Sequence, residues 1–400
     1  MVVTRSIIAA SGCVCACGNT QEECFANALV GKARFAFPSH RVQSAYADRY
    51  PVFLMDDTLV SSCPTDQSLS LHFFLTAAKE AFAKANLNPS SLCNKRVGVI
   101  VGTSVDASFH CLEIYENWRK NTPQPNDAKE LAHYFASSTA QAISRYFNFT
   151  GPFQTIVTAC ASGTDAIGLA HNWIERGLCD AVLCGGTDEI NLIPYDGFIR
   201  LLIASKERCC PFSKNRNGIN IGEGAAALLV VSRELAKEYE LHPTGYILGY
   251  GNACDAYHPT APDPAAKGLK RAISFALKEA NLPATELAFV NAHGTASQAN
   301  DAAESEAFKA LLPGIPIWGS KGVTGHTLGA AGAIEAVLTL SALNHHTLPA
   351  TFGFTQLDEK IGICPTTDVK PVQKKAAVST SLAFGGCNAA IIIGAADYEN

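Results

Sequence analysis

Short runs of β-branched and apolar residues alternate with longer amphipathic stretches along the whole chain, and this rhythm restricts the fold to the α/β class. The spacing predicts strands over Val2–Ala9, Val97–Gly102, Phe153–Val157, Ala181–Gly185 and Ala225–Val231. In the second half it predicts strands over Thr244–Tyr250, Ala288–Asn291, Ile315–Trp318, Ala376–Ser381 and Ala389–Gly394. Between them, helical periodicity covers Glu22–Val30, Leu69–Ala85, Thr139–Tyr146, Ser162–Arg176, Pro264–Asn281, Asn300–Leu311 and Thr327–Asn344. Several strands, Ala389–Gly394 most clearly, are continuous apolar runs, as expected where both faces of a sheet are covered. A charged run near Arg233–Pro243 marks a soft boundary and gives two halves, 1–240 and 241–400.

Composition narrows the function. Hydrophobic residues are 48% and charged residues 17% of 400, enough for a large packed core and unlike a disordered chain. Lys and Arg number 31 against 36 Asp and Glu, so there is no broad basic footprint for nucleic acid. No uncharged apolar stretch is long enough to cross a bilayer. Arg5 ahead of Ile7–Ala10, and Val14–Cys17 after it, imitate a leader, but Ser11, Gly12 and Gly18 break the run. A first strand and a cytoplasmic protein are the expectation. Fifteen cysteines fit a reducing compartment, where thiols pack as small hydrophobes. Cys13, Cys15 and Cys17 alternate and share one face of a strand, yet no pair at zinc-finger spacing answers them, so they are read as core; Cys209 and Cys210 are read the same way.

Four segments carry chemistry. In Gln154–Gly168 a strand ends, Cys160 follows, and a small-residue helix begins at once. A thiol at a helix N-terminus meets unpaired N–H groups and the positive end of the dipole, both of which favour the thiolate; the alternative is another buried cysteine. In Phe289–Glu304, His293 stands just past a strand end, a position that points into a site or holds a capped structural histidine. In Ser320–Glu335, Lys321 and His326 flank Gly322 and Gly325, so Lys321 is a solvated charge or a charge-tuning group. In Ala377–Ala390, Phe384 precedes Gly385–Gly386, a pair that permits positive φ and close backbone approach, or makes an ordinary hairpin turn.

The joint order, Cys, then His, then Lys-x4-His, then Phe-Gly-Gly, resembles the β-ketoacyl–acyl carrier protein synthases of the thiolase superfamily, in their elongating Cys–His–His form. The resemblance extends to Gly31–Lys32, Val97–Thr103, Cys184–Glu189 and Pro211–Val230. It implies a thiolase-like five-layered αβαβα architecture of two similar halves, the first carrying Cys160, the second both histidines and a gating loop. It implies acyl transfer to Cys160, an oxyanion hole from the backbone N–H groups of Cys160 and Phe384, and decarboxylation of a malonyl thioester assisted by His293 and His326. Lys321 would pair with Glu335, hold His326 neutral and favour a thiolate at Cys160, with Asp301 and Glu304 in a charged network beneath. Thr295 and Ser297 would bind the pantetheine amides, and Leu382, Ala383, Phe384, Gly385 and Gly386 would form the gating loop. No metal, nucleotide or flavin cofactor is implied, since substrates ride on the phosphopantetheine of an acyl carrier protein. That acidic partner calls for a basic patch, with Lys206, Arg208, Lys214 and Arg216 as candidates.

The sequence departs from the family at three places. Cys210 replaces an Arg before Pro211-Phe212, the N-terminus carries cysteines where a Val-Thr-Gly strand is usual, and Ala383 replaces a glycine of the gating loop. The last substitution restricts backbone freedom and predicts altered gating or acyl selectivity. A non-catalytic, chain-length-determining partner of a ketosynthase heterodimer is the alternative function, but such chains lack the nucleophilic cysteine. A thiolase would use a second cysteine, for which Cys387 is placed, and an initiating synthase would carry Asn in place of His326. Dimerisation, with an identical chain or a paralogue, is expected through the strand Phe153–Val157.

Overall fold

The computed structural model describes residues 6–38, 41–65, 67–105, 110–129, 131 and 138–399. The first half contributes β1 (Ser6–Cys15), β2 (Val97–Gly102), β3 (Phe153–Ile156), β4 (Ala181–Asp188) and β5 (Gly224–Val231). The second contributes β6 (Gly245–Cys254), β7 (Leu287–Ala292), β8 (Ile317–Gly319), β9 (Ala376–Leu382) and β10 (Cys387–Ala395). Strands lie side by side in the order β1-β5-β4-β2-β3 and, in the second half, β6-β10-β9-β7-β8. Parallel and antiparallel pairings also match: the first two contacts of each set are antiparallel and the last two parallel. The halves are thus copies of one topology, joined where Ser6–Ile8 of β1 pairs antiparallel with Gly245–Ile247 of β6.

Helices α1 (Gln21–Val30), α2 (Leu69–Lys84), α3 (Thr139–Tyr146), α4 (Ser162–Glu175), α5 (Leu192–Arg200), α6 (Lys267–Ala280), α7 (Gln298–Leu311) and α8 (Ala331–Asn344) complete the layers. Outside, α2 covers β1, β4 and β5, while α6 covers β6 and β10. Inside, α4 and α8 pack on one another and touch strands of both halves, which makes the middle of five layers. Strand alternation feeds both cores. In β5, Ala225, Ala227, Leu229 and Val231 face the outer helices' core, and Ala226, Leu228 and Val230 face the inner one. Every residue of α8 from Ala331 to Leu343 is buried, as befits a helix apolar on all sides.

The strands and helices fall where the periodicity places them, with shifted ends. Residues 2–5 of the first predicted strand lie outside the described residues, and β1 runs on to Cys15 instead of ending at Ala9. Ala266 takes φ 51°, so α6 begins at Lys267 and not at Pro264. The helix α5 escapes the periodicity because Pro194 and Gly197 mask it; Pro194 sits in the first turn, where its missing N–H costs nothing. Cys13, Cys15 and Cys17 are buried as read, but Cys24 of α1 joins them: the sulfurs of Cys13, Cys15 and Cys24 lie within 4.8 Å of one another. Among the described residues no helix is long and apolar enough to cross a membrane.

The inner helices meet at glycines. A Cβ on Gly163 would lie 2.7 Å from Ala333 N and 2.8 Å from Gly329 O; one on Gly332 would lie 2.1 Å from Thr164 Oγ1. At Gly163 the nearest atoms are backbone, which cannot yield as a side chain can. Gly163→Ala is expected to destabilise the fold by about 2 kcal/mol, read as a lower urea midpoint. An unchanged midpoint would show that the two helices are free to separate.

Candidate active site

The turn from β3 into α4 presents Cys160. Ala159 takes φ 50°, a strained value for a residue with a side chain, and starts a short 3₁₀ turn over Ala159–Ala161. Ser162 staples the turn: its Oγ accepts from Thr158 N–H at 2.9 Å and donates to Ala159 O at 2.6 Å. This is a sharp strand-to-helix elbow with the sulfur at its tip.

Three loops of the second half converge on that sulfur. His326 Nε2 lies 3.1 Å from Cys160 Sγ. The His293 ring stands edge-on to that of His326, with centroids 5.1 Å apart. One donor atom from each of Cys160, His293 and His326 lies within 4.8 Å of the others. Lys321, only 1% exposed, donates from Nζ to His293 Nδ1 at 3.1 Å, to His293 O at 2.6 Å, and to Glu335 Oε1 in a very short contact. Because the ammonium occupies the Nδ1 lone pair, the His293 proton resides on Nε2, the nitrogen turned from Lys321. That tautomer offers a hydrogen-bond donor and leaves no Nε2 lone pair for a metal ion.

The supporting carboxylates act on backbone. Glu304 accepts from the N–H groups of His293 and Gly294, each at 2.7 Å, and so fixes the histidine loop. Asp301 accepts from Phe212 N–H at 2.7 Å and Ala296 N–H at 3.1 Å. Burial pushes Glu304 up to about 8, Glu335 up to about 7 with the Lys321 cation opposing, and Asp301 up to about 6. His293 and His326 are both held well below the usual imidazole range, by burial first and by Lys321 second, so both are neutral.

The state of Cys160 corrects the expectation of a thiolate. Burial, the largest influence, pushes the thiol up to about 12, while Lys321 pulls it down by less. The resting group is a thiol whose proton sits within reach of His326.

A cavity of about 570 Å³ opens over these groups. Thr295 and Ser297 line its wall, their hydroxyls 3.1 Å apart. Leu382, Ala383 and Phe384 line it from the loop between β9 and β10. Ala383 adopts φ −138°, ψ 157°, open to any residue, and the left-handed positions fall at Gly385 and Gly386, φ 80° and 76°. The substitution at 383 is therefore unstrained in this loop conformation, and its restriction acts only on others. Cys387 does not line the cavity.

Two contributors were not legible in the sequence. Phe198, on α5, stacks on His326 at 6.4 Å between centroids and meets Phe384 edge-on at 5.6 Å, linking a site imidazole to the loop. Asp188, at the end of β4, accepts from Gly329 N–H at 2.6 Å, Ser104 N–H at 2.9 Å and Thr103 Oγ1 at 2.7 Å, and so ties the two halves behind the elbow. Its place in Cys184–Glu189 was the only signal.

Half of the candidate basic patch is taken up by contacts within the fold. Arg216 is 4% exposed and paired with Asp358 at 2.6 Å; Arg208 donates to Gly322 O at 2.6 Å and Gly31 O at 3.0 Å. Both are committed to structure, leaving Lys206 and Lys214 exposed. Cys210 is buried too, so no docking cation stands at its position.

Comparison with known proteins agrees with the geometry. Residues 7–236 match the N-terminal domain and residues 244–355 the C-terminal domain of the β-ketoacyl synthases. The 3-oxoacyl-[acyl-carrier-protein] synthase 2 of Synechocystis is 32% identical over 79% of this chain and 79% of its own length. Among solved structures, the ishigamide ketosynthase/chain length factor superposes with a TM-score of 0.89, at 26% identity over 98% of this chain and 99% of that one. A type II polyketide ketosynthase solved with its acyl-carrier protein superposes at 0.86, also at 26% identity, over 98% of this chain and 99% of that one. The chain belongs to the β-ketoacyl synthase family. It is a condensing enzyme of the acyltransferase type, and its fold is thiolase-like.

Alkylation reports the thiol directly. With the Cys160 thiol raised well above buffer pH, the thiolate fraction, and with it the iodoacetamide rate, is expected to climb about tenfold per pH unit between about pH 7 and 9. Removing the cation in Lys321→Met, with Glu335→Gln to leave no lone buried charge, is expected to slow the reaction about fivefold at fixed pH. A plateau below pH 8 would mean that the sulfur is already ionised.

Proposed function

We propose that this protein elongates acyl chains by decarboxylative condensation of an acyl thioester with malonyl–acyl carrier protein. The single observation that carries the reading is the convergence of Cys160, His293 and His326 at one end of a thioester-sized cavity. In the first half-reaction Cys160 Sγ attacks the acyl carbonyl and passes its proton to His326 Nε2, 3.1 Å away. The N–H groups of Cys160 and Phe384 stabilise the oxyanion, and the carrier thiol leaves with the proton. In the second, the bond to the malonyl carboxylate breaks, carbon dioxide departs, and the electron pair enters an enolate. The Nε2–H of His293, and that of neutral His326 once its one proton has moved from Nδ1 to Nε2, donate to the enolate oxygen, an interaction stronger in the transition state than in the ground state. The enolate carbon then attacks the Cys160 thioester and releases the sulfur as a thiolate, which takes up one proton from solvent, the original proton having left on the carrier thiol.

Thr295 and Ser297 hold the pantetheine amides, with the loop Leu382–Gly386 as gate. The partner is an acidic acyl carrier protein, met by Lys206 and Lys214; a type II polyketide ketosynthase of similar fold has been solved in complex with its acyl-carrier protein. A second chain, identical or paralogous, joins along β3: this edge strand is exposed at Phe153 (46%) and, just beyond it, at Val157 (64%), an open template for pairing. The cytoplasm is the compartment; the described cysteines are all unpaired thiols. The division into functional halves at 240/241 and the absence of a resident cofactor belong to the same reading. The altered gate favours a specialised type II pathway over bulk fatty-acid synthesis.

Intact-mass analysis with acyl and malonyl carrier proteins tests this. Wild type and His293→Ala are expected to gain an acyl adduct that Cys160→Ala lacks, His326→Ala to gain it more slowly, and both histidine variants to lose condensation by about 10²-fold or more. An adduct that survives Cys160→Ala would sink the assignment. Lys206→Glu with Lys214→Glu is expected to raise KM for the carrier protein about tenfold at constant kcat. Ala383→Gly is expected to change relative acylation rates by short and long acyl carriers; identical profiles would remove the idea of a stiffened gate.

A further inference from the structure

Two cysteines that the chemistry leaves unused face each other at the base of the gate. β6 ends at Cys254, β10 begins at Cys387, and the antiparallel register pairs them directly. Asp255 N–H donates to Gly386 O at 2.8 Å, linking the residue after one cysteine to the residue before the other. That bond makes Cys254–Cys387 a non-hydrogen-bonded pair, the kind in which Cα atoms stand about 4.5 Å apart with side chains on one face. A disulfide spans Cα separations of about 4.4–6.8 Å, so the backbone already satisfies it. Cys254 is exposed and Cys387 half-buried, so both meet solvent, unlike Cys13, Cys15 and Cys24 in the core. Cys254 Sγ donates to Gly385 O at 3.6 Å, placing this thiol against the loop itself. The neighbours Asp255 and Asn388 line the cavity.

We propose that Cys254 and Cys387 form an oxidation site whose cross-strand disulfide ties the Leu382–Gly386 loop at its base. The oxidant is a peroxide or a small disulfide. With hydrogen peroxide, one sulfur attacks an oxygen, the O–O bond breaks, and a sulfenic acid and water form. The second sulfur then displaces a second water, closing the S–S bond; two thiols lose two hydrogens and the peroxide is reduced to two waters. A dithiol such as dithiothreitol reverses the step by exchange. The covalent tie holds Cys387, and with it Gly386, against the end of β6. The effect on activity rests on the reading of this loop as the gate, whereas the disulfide does not.

The test exposes the purified full chain to hydrogen peroxide, quenches free thiols and digests it with trypsin without reduction. Cys254 is the sole cysteine of fragment 238–267 and Cys387 that of fragment 376–400, so a linked pair is unambiguous. The expected result is that linked species, lost in Cys254→Ser and in Cys387→Ser. Acylation of Cys160 by a long acyl carrier is expected to slow about tenfold and to recover with dithiothreitol in wild type, but not to slow in Cys254→Ser. Direct oxidation of Cys160 is read separately on its own peptide. Absence of the linked peptide overturns the proposal. A linked peptide with unchanged acylation overturns the hold on the loop. Should the reduced protein not condense at all, the functional reading fails while the linked peptide still reports the pair.

Discussion

The contact between the two inner helices sets the geometry of everything else. α4 and α8 approach through Gly163, which meets the backbone of Ala333 and Gly329, and Gly332, which meets the hydroxyl of Thr164. Their N-terminal turns are thereby brought together, one bearing Cys160 and the other following directly on His326. A nucleophile from one half and imidazoles from the other can share a cavity only because the halves are pressed this close. Sheet pairing alone, three residue pairs between β1 and β6, would not fix that distance.

Within the site, one buried cation organises the rest. Lys321 is neutralised by Glu335 and spends its other donors on His293, fixing both the position and the tautomer of that ring. After burial, its charge is the next influence that keeps both imidazoles neutral. Removing one member of such a buried pair costs several kcal/mol, because the other is left without compensation. Lys321 does not line the cavity; it acts by its contacts with His293 and by its charge on His326 and Cys160.

Much of this was legible in the sequence, for a physical reason. Cys160, His293, Lys321 and Phe384 each follow a strand that the periodicity places, and the ends of such strands are where an α/β fold gathers side chains. The order of the motifs then named the family. What stayed hidden depended on partners distant along the chain. Arg208 and Arg216 read as surface charge because nothing local reveals Asp358 or the carbonyls of Gly31 and Gly322. Phe198 looked like one apolar residue among many on a helix that Pro194 and Gly197 disguise. Cys24 and Cys254 acquire meaning only once α1 lies on β1 and β6 lies beside β10. The expected thiolate at Cys160 failed for the same reason: helix position was visible, and burial was not.

The repeated topology has a sequel in the second half. The turn Leu328–Ala330 leads into α8 as Ala159–Ala161 leads into α4; each is a 3₁₀ turn opened by a left-handed residue, Leu328 at 53° and Ala159 at 50°. The counterpart of Cys160 is therefore Gly329. A Cβ there would fall 2.5 Å from the carbonyl carbon of Thr103. A mirror-image nucleophile has no room to exist, so the pseudo-twofold frame yields a single reaction chamber with a fixed polarity, sulfur on one wall and imidazoles on the other.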